Sequence, residues 1–529
     1  MEMKNINNIP ADKFKFVNRS DSLHDKKLDT KPVSFFQDAW RRFCKNKGAV
    51  VGAVVISFLV LFAIIAPFFT PYQPAYHDQS LAFLSPKLPL FEDLGIDFWD
   101  GCRDKIETSY LTYIQDYAIA KETGKEVIKR NEVEISEDGK MYTYRYNTYY
   151  GVGFGKYKII SKEEYEDIQR YQNETGKQVL YPTVKFSDRP TKEKNKYDAN
   201  IYYVTQNPDA TNIRPKLDAN GEIMTNYWKY DVSKQPTLAA DYNSLRIEGE
   251  NGFIENGKQY KYVYGRRVDG GIEVRADYYE YYIYQHTQVA KDGIEEPLFY
   301  FGTTANGKDV FACLAYGARF SFIFAILVAV VNMVVGVIWG SISGYYGGKI
   351  DMAMERFVEI LGAVPTMIVI TLLKYHMGTT SQVIILFISF FATGWIGMAG
   401  RTRMQFYRFK NQEYVLTART LGARDRRIMF KHIFPNAIGT LVTSCALIIP
   451  SMIYSETSLS YLGIINLESG NTTSVGTLIA AGQASVTKEG AAYIAFFPCA
   501  FLVLLMLSFN LFGNGLRDAF NPSLRGTEE

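Results

Sequence analysis

The sequence predicts an all-α polytopic membrane protein of six transmembrane helices, interrupted by a polar, mainly β inserted domain. Three observations carry this. Uncharged or nearly uncharged runs of bilayer length recur along the chain; the long stretch between the first two is polar and tyrosine-rich; and basic residues gather beside particular runs. The 529 residues average 47% hydrophobic and 21% charged, values of an ordinary globular protein, so the averages hide the split. A net charge of +3 implies no nucleic-acid partner, and five cysteines, of which only Cys102 falls in the polar block, exclude a disulfide scaffold.

A bilayer core needs about 20 apolar residues in a helix. Six runs qualify, at 48–69, 314–340, 357–375, 384–400, 438–462 and 491–511. The first, GAVVGAVVISFLVLFAIIAPFF, is no signal peptide: too much chain precedes it, and Pro67, Pro71 and Pro74 follow in place of a small-residue cleavage pattern. Basic residues near the runs set orientation. Segment 1–47 holds eleven Lys+Arg against six Asp+Glu, and 401–435 nine against two, so both are expected in the cytoplasm. Counting six crossings then puts 70–312 outside and the tail 512–529 inside.

Taken in order, 1–32 reads as a flexible cytoplasmic segment. Within 33–47, Phe35, Phe36, Ala39, Trp40 and Phe43 recur at helical spacing beside Arg41, Arg42, Lys45 and Lys47, the pattern of an amphipathic interfacial helix. After the first span, 70–102 is an extracytoplasmic connector to the inserted domain at 103–298. There MYTYRYNTYY (141–150), KQYKYVYGRRVDGG (258–271) and ADYYEYYIYQ (276–285) read as strands between Gly- and Asn-rich turns, and 160–172 as a helix; 27 of the 38 Tyr lie within 101–300. IQDYAIAKETGKEVI (114–128) echoes IQRYQNETGKQVL (168–180), as a repeat or as two similar turns. The tyrosines fit either strand packing or a stacking platform for peptide or sugar. The five His are scattered, and no metal cluster is expected.

No GxxxxGK[ST], GxSxG, HExxH or CxxC occurs, which argues against an autonomous ATP-driven pump or a hydrolase. Gly336, Gly340, Gly344 and Gly348 recur every fourth residue, a face on which another backbone can approach closely. Segment 411–436, NQEYVLTARTLGARDRRIMFKHIFPN, reads as helix, turn at Gly422-Ala423, second helix, then a break at Pro435. Ala418, Leu421, Ile428, Phe430 and Ile433 give it an apolar side; Arg419, Arg424, Arg426, Arg427 and Lys431 give it a basic one. Such a hairpin between two spans suits docking to a cytoplasmic partner.

This loop resembles the signature of the C-type permease subunits of oligopeptide and dipeptide ABC importers (the OppC/DppC/AppC group). Their motif, EAA, three residues, Gly, then I-x-L-P, is matched at Leu416, Thr417, Ala418, Gly422, Ile433 and Pro435, with Leu416 in place of the acidic residue and Thr417 in place of the first Ala. FGTTANGKDVF (301–311, within a lead-in segment 299–313), GARFS (317–321), GYYGGKIDMAMER (344–356), SETSLSYLGI (455–464), GTLIAAG (476–482) and FNLFGNGLRDAFNPSLRG (509–526) follow in the family's order. The match covers 33–102 and 301–526; 103–298 has no counterpart in compact members. The resemblance implies the type I ABC importer permease fold, with helices two to six in 314–511 and a coupling loop at 401–436. It implies a transport subunit, not an enzyme, in a bacterial plasma membrane, with both termini cytoplasmic. Expected partners are a homologous B-type permease, two ABC ATPase subunits, an extracytoplasmic peptide-binding lipoprotein, the peptide and the bilayer. No cofactor is expected on this chain, since ATP and Mg belong to the ATPases. The coupling residues implied are Leu416, Thr417, Ala418, Gly422, Ala423, Arg426 and Pro435. A membrane-anchored receptor using 103–298 as a sensor is the alternative, opposed by the ordered permease motifs.

Overall fold

The computed structural model describes residues 35–520, apart from 94–98, 130–133, 136–140, 152–155, 182–183, 186–196, 199–200, 204–214, 228–236, 240–247, 250–251, 256–257, 262 and 379. The segment 1–32 and the tail beyond 520 lie outside the described residues. Helix α1 (Phe35–Lys45) buries Ala39 and Phe43 beside Ala519 and leaves Trp40 66% exposed. The amphipathic segment thus packs one face on the bundle and turns its aromatic edge outward. Asn46 ends it and caps α2 (Lys47–Ile65), its Oδ1 accepting the Ala49 amide at 3.2 Å. A 3-10 turn extends α2 into a 22-residue span ending at Phe68.

The polar block begins with β1 (Cys102–Ser109) and α3 (Tyr110–Thr123), then β2 (Glu134–Ile135) and β3 (Met141–Asn147). Next come β4 (Lys156–Ile160), α4 (Lys162–Thr175), β5 (Leu180–Tyr181), β6 (Thr237–Ala239), β7 (Val263–Val268), β8 (Gly271–Ala276) and α5 (Tyr278–Tyr284). Strand β3 lies between β1 and β2; β8 lies between β4 and β7, with β5 on β8 and β6 parallel to β7. Three two-stranded pairs complete the strands described. Helices share the block with these sheets, so it is less dominated by β structure than expected. Segment 278–284, expected as strand, is helical. Asp277 caps it by accepting the Tyr279 amide at 3.1 Å, and a helix lets tyrosines on every side reach the core. Tyr144, Tyr149, Tyr264, Tyr278 and Tyr282 are all buried, so these tyrosines are core residues and not an exposed platform.

The ETGK echo corresponds to one local plan built twice. Thr123 and Thr175 each donate a hydroxyl back into their own helix, to the carbonyls of Ile119 (2.6 Å) and Tyr171 (2.7 Å). Gly124 and Gly176 end α3 and α4 at φ +68° and +71°. The Val127 carbonyl accepts the Asn147 amide and the Val179 carbonyl the Asp277 amide, both at 2.9 Å. Asn147 and Asp277 then cap the turn after their central strands, β3 and β8.

The ends of the block are tied together. The Lys87 amide donates to the Phe299 carbonyl at 3.0 Å, and Thr303 receives the Leu84 amide at 2.8 Å on its hydroxyl while donating to the Leu81 carbonyl at 2.5 Å. Thr70 donates to Asp309 at 3.0 Å, and Tyr493 to the Thr303 carbonyl at 2.8 Å, so connector and lead-in are fastened to the bundle. Burial raises the Asp309 carboxyl to about 7, against the Thr70 bond and the Phe311 and Ala312 amides.

Helix α6 (Val310–Tyr346) is 37 residues long, beyond the expected 314–340 at both ends, because nothing breaks it between its Asp309 cap and Gly347. The expected span at 357–375 is instead two helices, α7 (Gly348–Gly362) and α8 (Thr366–His376), bent by 69°. Pro365 disfavours helix at the residue before it, and the charges of α7 (Asp351, Glu355, Arg356, Glu359) keep its first half from being an apolar run. Helices α9 (Gln382–Gly394) and α10 (Ile396–Phe409) form one 28-residue span. The hairpin helix α11 (Glu413–Thr420) comes next. The short turn Asp425–Arg427 and a π-turn at Ile428–Ile433 then run without interruption into α12 (Phe434–Tyr461), so Pro435 breaks nothing. The wider π-turn shifts Phe434 to pair with Met429, and proline at the start of the next helix needs no donor of its own. Helices α13 (Val475–Ser485) and α14 (Tyr493–Phe520) complete the bundle. Among the described residues, five helices are long and apolar enough to cross a membrane, six if the bent pair counts as one.

Candidate functional site

The hairpin 411–436 sits at the end of the bundle opposite the polar block. Its inward side is apolar: Val415, Ile428, Met429 and Ile433 pack with Tyr345 of α6 and Phe406 of α10, with Ala423 half-buried beside them. Leu421 and Phe430, expected on that side, are 82% and 50% exposed, because the turn and the π-register rotate them outward. The turn is closed by the Ala423 amide on the Ala418 carbonyl at 3.1 Å, with Gly422 at φ +81° and nothing within 4 Å of where a Cβ would stand. Leu416, Thr417, Arg426 and Pro435 are exposed, and Thr417 donates its hydroxyl to the Glu413 carbonyl at 2.9 Å. The outer surface is therefore an apolar tip, Leu416 and Leu421, rimmed by arginines. Partial burial raises the Tyr414 phenol, and Asn436 donates to it at 3.3 Å, closing the hairpin's base.

Polar contacts fix the hairpin to the spans. The Tyr345 hydroxyl donates to Asp425 at 2.6 Å, and Arg419 reaches the same oxygen at 3.5 Å. One turn away, Asp351 accepts both Nε and Nη2 of Arg403 at 2.6 Å and the Tyr407 hydroxyl at 2.6 Å, with Ser343 as a further donor. Lys410 donates to the Gly344 carbonyl at 3.0 Å. The end of α6, the start of α7 and the end of α10 are thereby held together above the hairpin. Sequence reasoning missed Asp351, Arg403 and Tyr407. The signal was present: an acidic residue just past a glycine turn, and an arginine inside an otherwise long helix. It missed Glu456 too, a carboxylate buried in α12 that accepts from Ser321 at 2.9 Å and Ser460 at 3.2 Å, though a lone acid in an apolar run is itself a signal.

The glycine series is split by the structure. A Cβ on Gly336 would stand 2.6 Å from the Met398 Cβ, on Gly340 2.2 Å from the Ala399 carbonyl oxygen, and on Gly344 2.7 Å from the Arg403 carbonyl oxygen. These three lie along the α6–α10 contact. Gly348 does not join them: it lies past the helix end at φ +56° with open space around it, and it serves the turn into α7.

The family profile described as "binding-protein-dependent transport system inner membrane component" matches residues 336–526, and "N-terminal TM domain of oligopeptide transport permease C" matches 34–86. An oligopeptide transport system permease protein OppC of Bacillus subtilis is 42% identical over 226 residues, 43% of this chain and 72% of that protein. A dipeptide transport system permease protein DppC of the same organism is 38% identical, covering 43% and 69%. OppC of Escherichia coli is 37% identical, covering 43% and 73%. The chain belongs to the OppC/DppC family of ABC transporter permeases for oligopeptide and dipeptide transport. It is a multi-pass membrane protein, and its relatives are transport subunits. An inward-facing MetNI methionine ABC transporter overlaps 40% of this chain and 96% of its own, at TM-score 0.31 and 16% identity, too distant to bear on the fold.

Proposed function

We propose that this chain forms half of the translocation path of an ATP-driven oligopeptide importer and passes the stroke of two cytoplasmic ATPase subunits to the spans through the hairpin 411–436. The identity to an oligopeptide permease over 72% of that relative's length carries the reading. The other half of the path is a homologous B-type permease. ATP and Mg reside on the ATPases, and bond chemistry is absent from this subunit. The hairpin and both termini face the cytoplasm, a reading that the basic residues of 1–47 and 401–435 support. The block 103–298 faces outward in a bacterial plasma membrane and receives a peptide-binding lipoprotein.

The hairpin supports this mechanically. Leu416, Leu421 and the open turn at Gly422 form a protruding tip, while Val415, Ala418, Ala423 and the α6–α10 network form its base. A groove on an ATPase that grips the tip moves a lever whose base is fastened by Tyr345–Asp425 and Asp351–Arg403. ATP binding must favour one arrangement of this base over another for coupling to exist. The acidic contact usual in the family is replaced by Leu416, so apolar insertion and the rim arginines, Arg426 among them, carry the grip. The test is Gly422→Trp in the intact complex reconstituted in vesicles. A residue with a side chain is strained at this φ, and indole fills the space a partner would enter. Peptide-stimulated ATP turnover and uptake fall together by at least tenfold while incorporation is unchanged; wild-type coupling in a properly incorporated variant rejects the role. Arg426→Glu gives a smaller loss that grows at low salt.

A further inference from the structure

Between α10, α12 and α14, at the hairpin end of the bundle, lies a cavity of about 280 Å³ into which three arginines converge: Arg401 and Arg408 from α10 and Arg517 from α14. Among the described residues no carboxylate lines it, and none of the three arginines is ion-paired. Asp518 is next to Arg517 in the chain but is not part of the lining. All three are exposed, and together they offer an anion charge-assisted hydrogen bonds from two helices. Gln405, Thr440 and Ser444 add amide and hydroxyl donors to the same walls.

The cavity is built by the helix packing. At this end of the bundle α12 and α14 approach closely where Gly513 meets the Leu447 side chain and where Gly439 meets the Phe520 ring. Leu447 and Phe520 form its apolar ends, and the hydroxyl-bearing face of α12 is left between them. Its depth is marked independently. Phe520 also packs in the cluster that seats α1, the amphipathic helix with the exposed Trp40, so the cavity lies at the level of the headgroups. On the side of α14 that carries Arg517, Val503 and Leu507 are 56% and 57% exposed, ten to fourteen residues deeper along the helix. They provide a strip for acyl chains below a charged socket.

We infer that this cavity binds the phosphodiester headgroup of an anionic membrane phospholipid, its acyl chains lying on α14. With the hairpin cytoplasmic, as proposed above, the lipid belongs to the inner leaflet. A bound headgroup, with its single negative charge, would offset part of the charge of the three arginines and join α10, which carries Arg403 of the hairpin's base, to α12 and α14.

The test is lipid retention by the intact purified complex, read by native mass spectrometry after equilibration with mixed micelles of phosphatidylglycerol and phosphatidylcholine. This reads binding whether or not peptide is the cargo, so its failure and that of the transport reading are separable. Wild type retains phosphatidylglycerol at least fivefold over phosphatidylcholine. Arg401→Gln/Arg517→Gln abolishes that preference, while Arg356→Gln, an exposed arginine away from the cavity, leaves it intact. Should the double variant fail to assemble, Ser444→Leu blocks the cavity without touching charge and lowers the preference at least threefold. Unchanged preference in the double variant, or in Ser444→Leu when that is the variant used, overturns the inference. So does displacement of the lipid by millimolar inorganic phosphate, which marks a free-anion site. Loss of retained peptide in place of lipid assigns the arginines to the translocation path and likewise overturns it.

Discussion

Glycine does opposite work along α6 of the bundle and at the ends of α3 and α4 in the polar block. Gly336, Gly340 and Gly344 are spaces, each with backbone or Cβ atoms of α10 standing where a side chain would be. Gly124 and Gly176 are angles, each at positive φ with nothing within 4 Å. The difference tracks the solvent. Lipid gives helices no hydrophobic reason to associate, so close backbone approach must supply the contact. Water drives tyrosine, valine and isoleucine of the block into a core by themselves, and Gly124 and Gly176 serve where the chain turns.

The largest effect expected from this contrast is at Gly340. Leucine there meets the Ala399 carbonyl at a distance no rotamer relieves, and α6 must part from α10. Overpacking in a core costs about 1–3 kcal/mol, and a rigid backbone opposite pushes toward the upper end. Gly340→Leu should lower recovery of assembled complex in size-exclusion chromatography several-fold, whereas Gly348→Leu, at the turn, should assemble nearly as wild type. Equal recovery of Gly340→Leu and wild type would reduce the series to composition.

Next in size is the contact that distinguishes the two ETGK turns. Lys125 reaches from the first to the second copy of the plan, donating to Asp277 at 2.7 Å and pairing with Glu280 at 2.9 Å. Lys177, its counterpart, is exposed. Burial raises the Asp277 carboxyl against the pull of Lys125, whose ammonium is itself raised by Asp277 and Glu280 despite its own burial. Removing one partner of a buried pair typically costs about 3–5 kcal/mol; with Lys125 still partly exposed, about half of that is expected. In Lys125→Met, amide exchange in α5 of the intact complex should rise at least tenfold, and Lys177→Met should leave α4 and α5 unchanged. A carboxyl raised by burial is less costly when protonated, so the deficit of Lys125→Met should shrink as pH falls toward 4 and be greatest near neutrality.

The bundle was legible because apolar length and glycine spacing are properties of single segments. All six runs correspond to helices, and the hairpin turn falls at Gly422-Ala423. What the sequence hid depends on contacts between segments or on a choice among local structures. Pro365 splits a run that looks continuous, whereas Pro435 sits in a helix it was expected to end, and only the π-turn upstream separates the two outcomes. The tyrosine run 278–284 has strand propensity, yet its Asp277 cap and its all-round burial make it helix. Asp351 and Arg403 lie 52 residues apart, and no spacing rule joins them.

The smallest effect concerns whether the two turns are the same device. If α3 and α4 end by one mechanism, Gly124→Ala and Gly176→Ala should cost alike, since neither site has a neighbour for the added methyl and both demand left-handed backbone. The strain of a non-glycine residue there is roughly 1–2 kcal/mol. Ten-fold faster exchange corresponds to about 1.4 kcal/mol, so the last turn of each helix should exchange roughly five- to thirty-fold faster in its own variant. Val127 and Val179, both fully buried three residues beyond their glycines, anchor the chain after each turn, and the loosening should stop at them. Costs differing by more than tenfold in exchange rate would show that the shared ETGK hides different turns. Equal costs leave Lys125 as the feature that sets the first copy apart from the second, with the same local plan fastened to its neighbour in one case and ending in solvent in the other.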